Sequence, residues 1–266
     1  MKIATFNING VKARIGALTE WLSDNQPDVV LLQEIKSVDE NFPRETFEDL
    51  GYNVETHGQK GFNGVAILSK YPLEDVTRGL PGGDGSGRDG TDDEEARYIE
   101  ATVVGDRALR LCGLYLPNGN PAPGPKYDYK LRWMERLRTR AQALLAAEEP
   151  ALMAGDYNVI PQDEDAARPD AWRNDALFLP ESRAAFRRIV NLGFTEAFRA
   201  RTLGPGHYSF WDYQGGAWNR NDGIRIDHVL LTPQAADLMR DCWIDTQVRG
   251  GEKPSDHVPV WVDLAL

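Results

Sequence analysis

The chain has 266 residues, 41% of them hydrophobic, and its 30 basic and 41 acidic side chains give a formal net charge of −11. That size and apolar content are enough for a substantial core and suit one α/β domain spanning residues 1–266, while the acid excess by itself argues against a nucleic-acid partner. The charge is uneven, however: GGDGSGRDGTDDEE at 82–95 holds six acids against Arg88 and supplies −5 of the total, so the remainder can still present a basic face.

KIATFNI reads as a first strand, entered directly from the N-terminus without a charged, apolar and cleavable leader. No uninterrupted apolar run of about 18 residues follows anywhere, which points to a cytoplasmic protein with no membrane partner. Ile15, Leu18 and Leu22 mark a helix, and DVVLLQE and GVAILS are apolar, β-branched strands. The glycine-rich acidic stretch at 82–95 reads as a solvated loop between two strands. YIEATVV and LRLCGLYL come next, then a Pro- and Gly-rich loop at 116–128, of a length often used for function. A long helix carries Leu131, Met134, Leu137, Ala141 and Leu144, the strand ALMAGDYNV follows, and a third helix with Phe186, Ile189 and Val190 stops near Gly193. IRIDHVLL and VPVWVDL complete the strands. No GxGxxG or GxxxxGK[ST] loop is present, so the pattern predicts two packed sheets flanked by helices rather than a nucleotide-binding fold. Cys112 and Cys242 lack metal-ligand spacing and read as buried free thiols; the four histidines are scattered, so any metal should prefer carboxylate oxygen.

Strand after strand delivers an acid, an amide or a histidine near one end. Asn7 and Asn9 follow KIATF, Glu34 follows DVVLLQ, and Tyr115 and Asn118 end LRLCGLYLPN. Asp156 and Asn158 lie in GDYNV, Asp227 interrupts IRIDHVLL, and Asp256 with His257 precedes the last strand. Each has a plain alternative: NxNG and GDYN are turn-forming sequences, and a lone histidine beside a strand is usually structural. Recurrence at six places points instead to a shared polar cleft on the rim of a sheet sandwich. An acid directly after DVVLLQ should be nearly buried and needs a counter-charge or a metal. In an extended segment Asp156 and Asn158 share a face, so that a carboxylate and an amide can reach one reacting group. Adjacent extended residues face opposite ways, which makes Asp227 a better partner for His257 than Asp256 is.

These residues form a pattern. Through KIATFNING, PDVVLLQE, GFNGVAILS, EARYIEA, LYLPNG, AGDYNVIP, HYSFWDYQGGAWNRNDGIRID and SDHVPV, nearly the whole chain resembles the exonuclease III branch of the endonuclease/exonuclease/phosphatase superfamily. The resemblance implies an α/β four-layered sandwich of two mixed sheets flanked by helices. It implies a Mg²⁺-dependent enzyme, with Mn²⁺ as the alternative ion, that cuts double-stranded DNA at abasic sites, trims 3′ ends and works as a monomer. In that pattern Glu34 holds the metal with Asn7 and Asp256, and Asp156 orients or activates water. Asn158 and Tyr115 contact the scissile phosphate, Asp227 pairs with His257, and Asn9 and Asn118 line the substrate path. The pocket for a flipped-out abasic sugar maps onto Phe210, Ile224 and Ile226, with Trp218 on the loop between them. Position 224 is aliphatic where some relatives carry Trp, and the acidic insert is longer than the family's. Phosphatases and sphingomyelinases of the same superfamily keep the Glu, GDxN and SDHxP residues, so a phosphoesterase acting on a non-DNA substrate is the alternative reading, and a fold kept as an inert scaffold is a third. The aromatic, Arg-bearing stretch SFWDYQGGAWNRNDGIR tilts the reading toward DNA.

Overall fold

The computed structural model describes residues 1–82 and 95–266, so most of the acidic loop lies outside the described residues. Twelve strands are described: β1 (Lys2–Asn7), β2 (Val29–Gln33), β3 (Asn53–His57), β4 (Val65–Ser69), β5 (Leu73–Arg78), β6 (Tyr98–Val104), β7 (Ala108–Tyr115), β8 (Ala151–Asp156), β9 (Thr195–Glu196), β10 (Asp227–Leu231), β11 (Met239–Ile244) and β12 (Val260–Leu264). They form two six-stranded sheets, in the orders β11-β12-β1-β2-β4-β3 and β5-β6-β7-β8-β10-β9. Each sheet is mixed: β1 and β2 run parallel in the first and β7 and β8 in the second, and the other pairings are antiparallel.

Alternation along the central strands explains the layering. Ile3, Val29, Leu31 and Ile67 of the first sheet meet Ile99, Leu111, Leu152 and Val229 of the second in a shared core. The opposite faces are apolar too. Phe6, Val30 and Leu32 pack under α1 (Ile15–Asn25) through Leu18, Trp21 and Leu22. A short α2 (Arg44–Glu48) contributes Phe47 to the same layer. On the far side, Cys112, Leu114 and Met153 pack under α3 (Pro125–Ala146) and α4 (Pro180–Val190) through Trp133, Leu137 and Phe186. Strands covered on both faces read as continuous apolar runs, which is why these were recognisable. Each fully buried Leu, Ile or Phe contributes about 1.5–3 kcal/mol of burial energy.

Four strands escaped the sequence reading. β5 and β11 are rich in polar residues and lie in edge regions of their sheets with solvent on one face, β3 is the outer strand of its sheet, and β9 has only two residues. The largest shortfalls against the expected strands are at two places: the chain leaves β8 after Asp156 rather than continuing to Val159, and β10 starts at Asp227 rather than Ile224. In α3 the stripe is shifted at its start, because Lys130 is buried and Leu131 is not. Cys112 and Cys242 are buried free thiols, as expected. Among the described residues no helix is long and apolar enough to cross a membrane.

Gly155 sits in the middle of the second sheet, where a Cβ would lie 1.8 Å from the carbonyl oxygen of Leu114 on β7. Backbone cannot yield there without opening the β7–β8 ladder. Gly155→Ala should therefore cost at least about 2–3 kcal/mol, the upper range of overpacking losses, read as a lower urea midpoint with little change in slope; a midpoint equal to the parent's would show that the ladder relaxes freely.

Candidate active site

The parallel pairs bring chemistry to one edge. Because β1 and β2 run the same way, Asn7 and Gln33 end side by side, with Glu34 the next residue. Tyr115 and Asp156 end side by side on β7 and β8 for the same reason. Antiparallel neighbours then start where these strands stop: Asp227, the first residue of β10, is opposite Asp156, and His257 lies just ahead of β12. Carboxyl ends of parallel strands are the usual place for a site in such sheets.

Asn7 joins the two sheets. Its Nδ2 donates to Glu34 Oε1 and to Asp156 Oδ2, both at 2.9 Å, while its Oδ1 accepts the Asn9 N–H at 3.1 Å. The turn anticipated for NxNG is therefore present together with the long-range contacts. Burial pushes the Glu34 carboxyl up, but the Asn7 hydrogen bond and the Lys36 ammonium, 2.9 Å from Oε2, outweigh it and hold the group below its ordinary value. Asp156 moves the other way: burial and the neighbouring Asp227 and Glu34 charges raise it against the pull of His257.

His257 Nδ1 is 2.8 Å from Asp227 Oδ2, and its Nε2 is 3.6 Å from Asp156 Oδ2. Burial opposes its charge, yet Asp227 and Asp156 prevail and raise the imidazole above its ordinary value. Ser209 Oγ donates to the same Asp227 oxygen at 2.6 Å and accepts the backbone N–H groups of Ile226 and Asp227, fixing the carboxylate's orientation. Ligand atoms of Glu34, Asp156 and His257 lie within 4.8 Å of one another. Two carboxylates so close suit a hard divalent cation. Asp256 is outside that trio; its Oδ1 accepts from Asn9 Nδ2 at 3.1 Å.

Asn158 corrects the extended-segment expectation. It has φ 46°, and its N–H donates to Asp156 Oδ1 at 2.9 Å, an Asx turn rather than a continued strand. Its side chain still reaches the edge, with Nδ2 on Leu116 O at 2.9 Å and Oδ1 accepting from Asn118 Nδ2 at 3.2 Å. Tyr115 lies with the Arg97 guanidinium 4.9 Å from its ring centroid, and burial together with Glu34 and Asp156 keeps its phenol protonated.

Phe210, Ile224 and Ile226 cluster with Ile160, Leu177 and Phe178. Phe210 is partly exposed and meets the His257 ring edge-on at 5.0 Å, whereas Ile224 and Ile226 are 1% and 2% exposed. Trp218 is not with them: it packs on Trp211 at 4.9 Å in a separate cluster. The sequence reading passed over Lys36, Ser209 and Ser255, whose Oγ donates to Asn7 O at 2.7 Å and accepts His257 N–H at 3.2 Å. The serines stood inside HYSFW and PSDH, but a serine near a strand carries no periodicity that marks it.

The chain belongs to the Endonuclease/Exonuclease/phosphatase family, whose sequence model matches residues 4–257. It is 37% identical over 277 aligned residues to Exodeoxyribonuclease III of Haemophilus influenzae, covering 99% of this chain and 100% of that protein. Among solved structures it resembles an AP endonuclease from Archaeoglobus fulgidus, with TM-score 0.92, 36% identity and full coverage of both chains. It also resembles the 3′ phosphatase NExo from Neisseria bound to product DNA hairpin, with TM-score 0.91, 33% identity and 99% of each chain covered.

The His257–Asp227 pair has a readable signature. With the folded pKa raised above 6.5, the pair stabilises the fold fully below that pH, and the contribution disappears as pH rises through the folded value. Asp227→Asn should move the His257 titration to lower pH, followed by NMR of the imidazole, and the parent's stability advantage over the variant should shrink on the alkaline side. Superimposable titrations would break the proposed pairing.

Proposed function

We propose that this chain is a metal-dependent DNA phosphodiester hydrolase of base-excision repair, which incises duplex DNA 5′ to abasic sites and removes nucleotides or blocking groups from 3′ ends. The observation that carries this reading is the convergence of Glu34, Asp156 and His257, with His257 backed by Asp227, at one rim of the two packed sheets. Similarity to a named exodeoxyribonuclease III and to an AP endonuclease over the full chain supports DNA as the substrate. We read the chain as one domain acting as a cytoplasmic monomer.

Glu34 is assigned as the main ligand of a Mg²⁺ or Mn²⁺ ion, with Asn7 and Asp256 beside it. Such an ion would neutralise charge on the scissile phosphate. Asn7 would turn its amide oxygen to the ion to act as a ligand, since its nitrogen now faces the carboxylates. Asp156, with its raised proton affinity, takes a proton from the attacking water. The charged His257 imidazole, the neutral Tyr115 hydroxyl and the Asn158 amide donate to phosphate oxygens as negative charge builds on them. Asn9, Asn118 and Trp218 are assigned to the substrate path, with Trp218 apart from the Phe210 cluster and against Trp211. Phe210 offers the accessible apolar wall for a bare deoxyribose, with Ile224 and Ile226 behind it. A nucleotide without a base leaves the stack at least cost, so a pocket of this kind selects abasic sites sterically.

Duplex DNA with one abasic analogue should be cut by the purified protein with Mg²⁺ and left intact with EDTA. Glu34→Ala should shift the Mg²⁺ titration to higher concentration, and an unchanged titration would remove Glu34 as ligand. Asp156→Asn and His257→Asn should each slow single-turnover cleavage by about 10²- to 10⁴-fold, with folding retained by circular dichroism; parental rates would refute the roles assigned. Phe210→Ala should lower the ratio of abasic to intact-site cleavage, and a constant ratio would return Phe210 to the core.

A further inference from the structure

Helix α3 carries a lysine where its apolar stripe should continue. Lys130 stands between Tyr127 and Met134 on the buried face and is 0% exposed. Its alkyl stem packs against Gly119, where a Cβ would lie 2.6 Å from Lys130 Cδ. The ammonium donates to the carbonyl oxygens of Asn118, at 3.0 Å, and Asn158, at 2.5 Å. Burial opposes its charge more strongly than the carboxylates of Asp156 and Asp175 favour it, and pushes its pKa down to about 7.

The two acceptors belong to different segments. Asn118 follows β7 and Asn158 follows β8, and their side chains bond to each other at 3.2 Å. Asn158 also holds a left-handed backbone conformation, with φ 46°, and a non-glycine residue keeps such a conformation where its surroundings impose it. The lysine thus ties both peptides from below, while Leu116 O and Asn118 Nδ2 fix the side-chain amide above. A methionine would fill the same space for the core, so packing alone does not account for a buried amine here.

We propose that Lys130 is a positioning residue for phosphodiester cleavage: its buried amine, through its two hydrogen bonds, locks the Asn118 and Asn158 peptides and so aims the Asn158 amide at the phosphate. This rests on the reading of the edge as a phosphodiesterase site. The lysine touches no substrate itself; it acts through Asn158.

The test compares the full-length parent with Lys130→Met, Lys130→Arg and Leu137→Ala, the last a core truncation on the same helix face. Single-turnover cleavage of an abasic duplex with Mg²⁺ gives rate and half-saturating DNA concentration, and thermal melting gives stability. Lys130→Met should slow the rate about 10- to 100-fold, the cost of a small misplacement, with half-saturation unchanged. Lys130→Arg should recover part of the rate, and Leu137→Ala should lose stability but keep the rate at temperatures where it is folded. A parental rate in Lys130→Met, or an equal fall in Leu137→Ala, overturns the proposal. Should the methionine variant not fold, Lys130→Gln is judged by the same criteria, and failure of both to fold makes the lysine structural and overturns it. A parent that cuts no DNA overturns the nuclease reading itself, whereas an active parent with an equally active Lys130→Met overturns the lysine's role alone.

Discussion

Two carboxylates from different sheets share the amide of one asparagine. Glu34 belongs to the first sheet's edge and Asp156 to the second's, and Asn7 Nδ2 donates to both. Like charges this close in a half-buried cleft are tolerated only with compensation. Lys36 supplies it at Glu34 and His257 at Asp156, and Asp227 in turn keeps His257 charged. The sheets must hold their relative position for these contacts to persist, so the apolar interlayer of Ile3, Leu31, Leu111 and Leu152 serves the chemistry as directly as it serves stability.

A second polar cluster steadies the edge from behind. Arg225, buried, bonds Asp165 at 2.8 Å and Glu196 at 3.0 Å, and Arg199 also bonds Asp165. Buried pairs of this kind add little net stability over apolar replacements, but losing one partner leaves a bare charge inside and is costly. Their geometric effect is to pin Ile224 and Ile226, on either side of Arg225, against Phe178 and Leu177. His228 belongs to this cluster, hydrogen-bonded to Val159 O at 2.9 Å; burial and Arg225 push its pKa down to about 3, so it stays neutral. His228, on β10 of the second sheet, and His257, just ahead of β12 of the first, are thus held in opposite charge states by their neighbours, although both lie in similar strand-rich sequence.

Much was legible in the chain itself. Strands buried on both faces announced themselves as apolar runs, and the polar residue closing each run marked the common rim before any contact was known. The half-exposed β5 and β11 did not, since an edge strand needs few apolar side chains. The pairing of His257 with Asp227 rather than its neighbour Asp256 was readable from strand alternation. The same reasoning misjudged Asn158, because hydrogen bonding from Asp156 turned the backbone where alternation assumed it stayed straight.

What the sequence determined by itself is the inventory and its order: which strands are buried twice, which residues end them, and that acids, amides and one histidine end up on a single rim. The tertiary structure decided which of them meet. Whether Asn7 offers nitrogen or oxygen to Glu34, whether Trp218 joins Phe210 or Trp211, and whether a lysine in an apolar stripe is an exposed face or a buried clamp all depend on contacts between residues far apart in the chain. Periodicity reports which side of an element a residue occupies. The partner it finds there is set by sheet order, loop path and the need of every buried charge for a counterpart, and none of these is a local property.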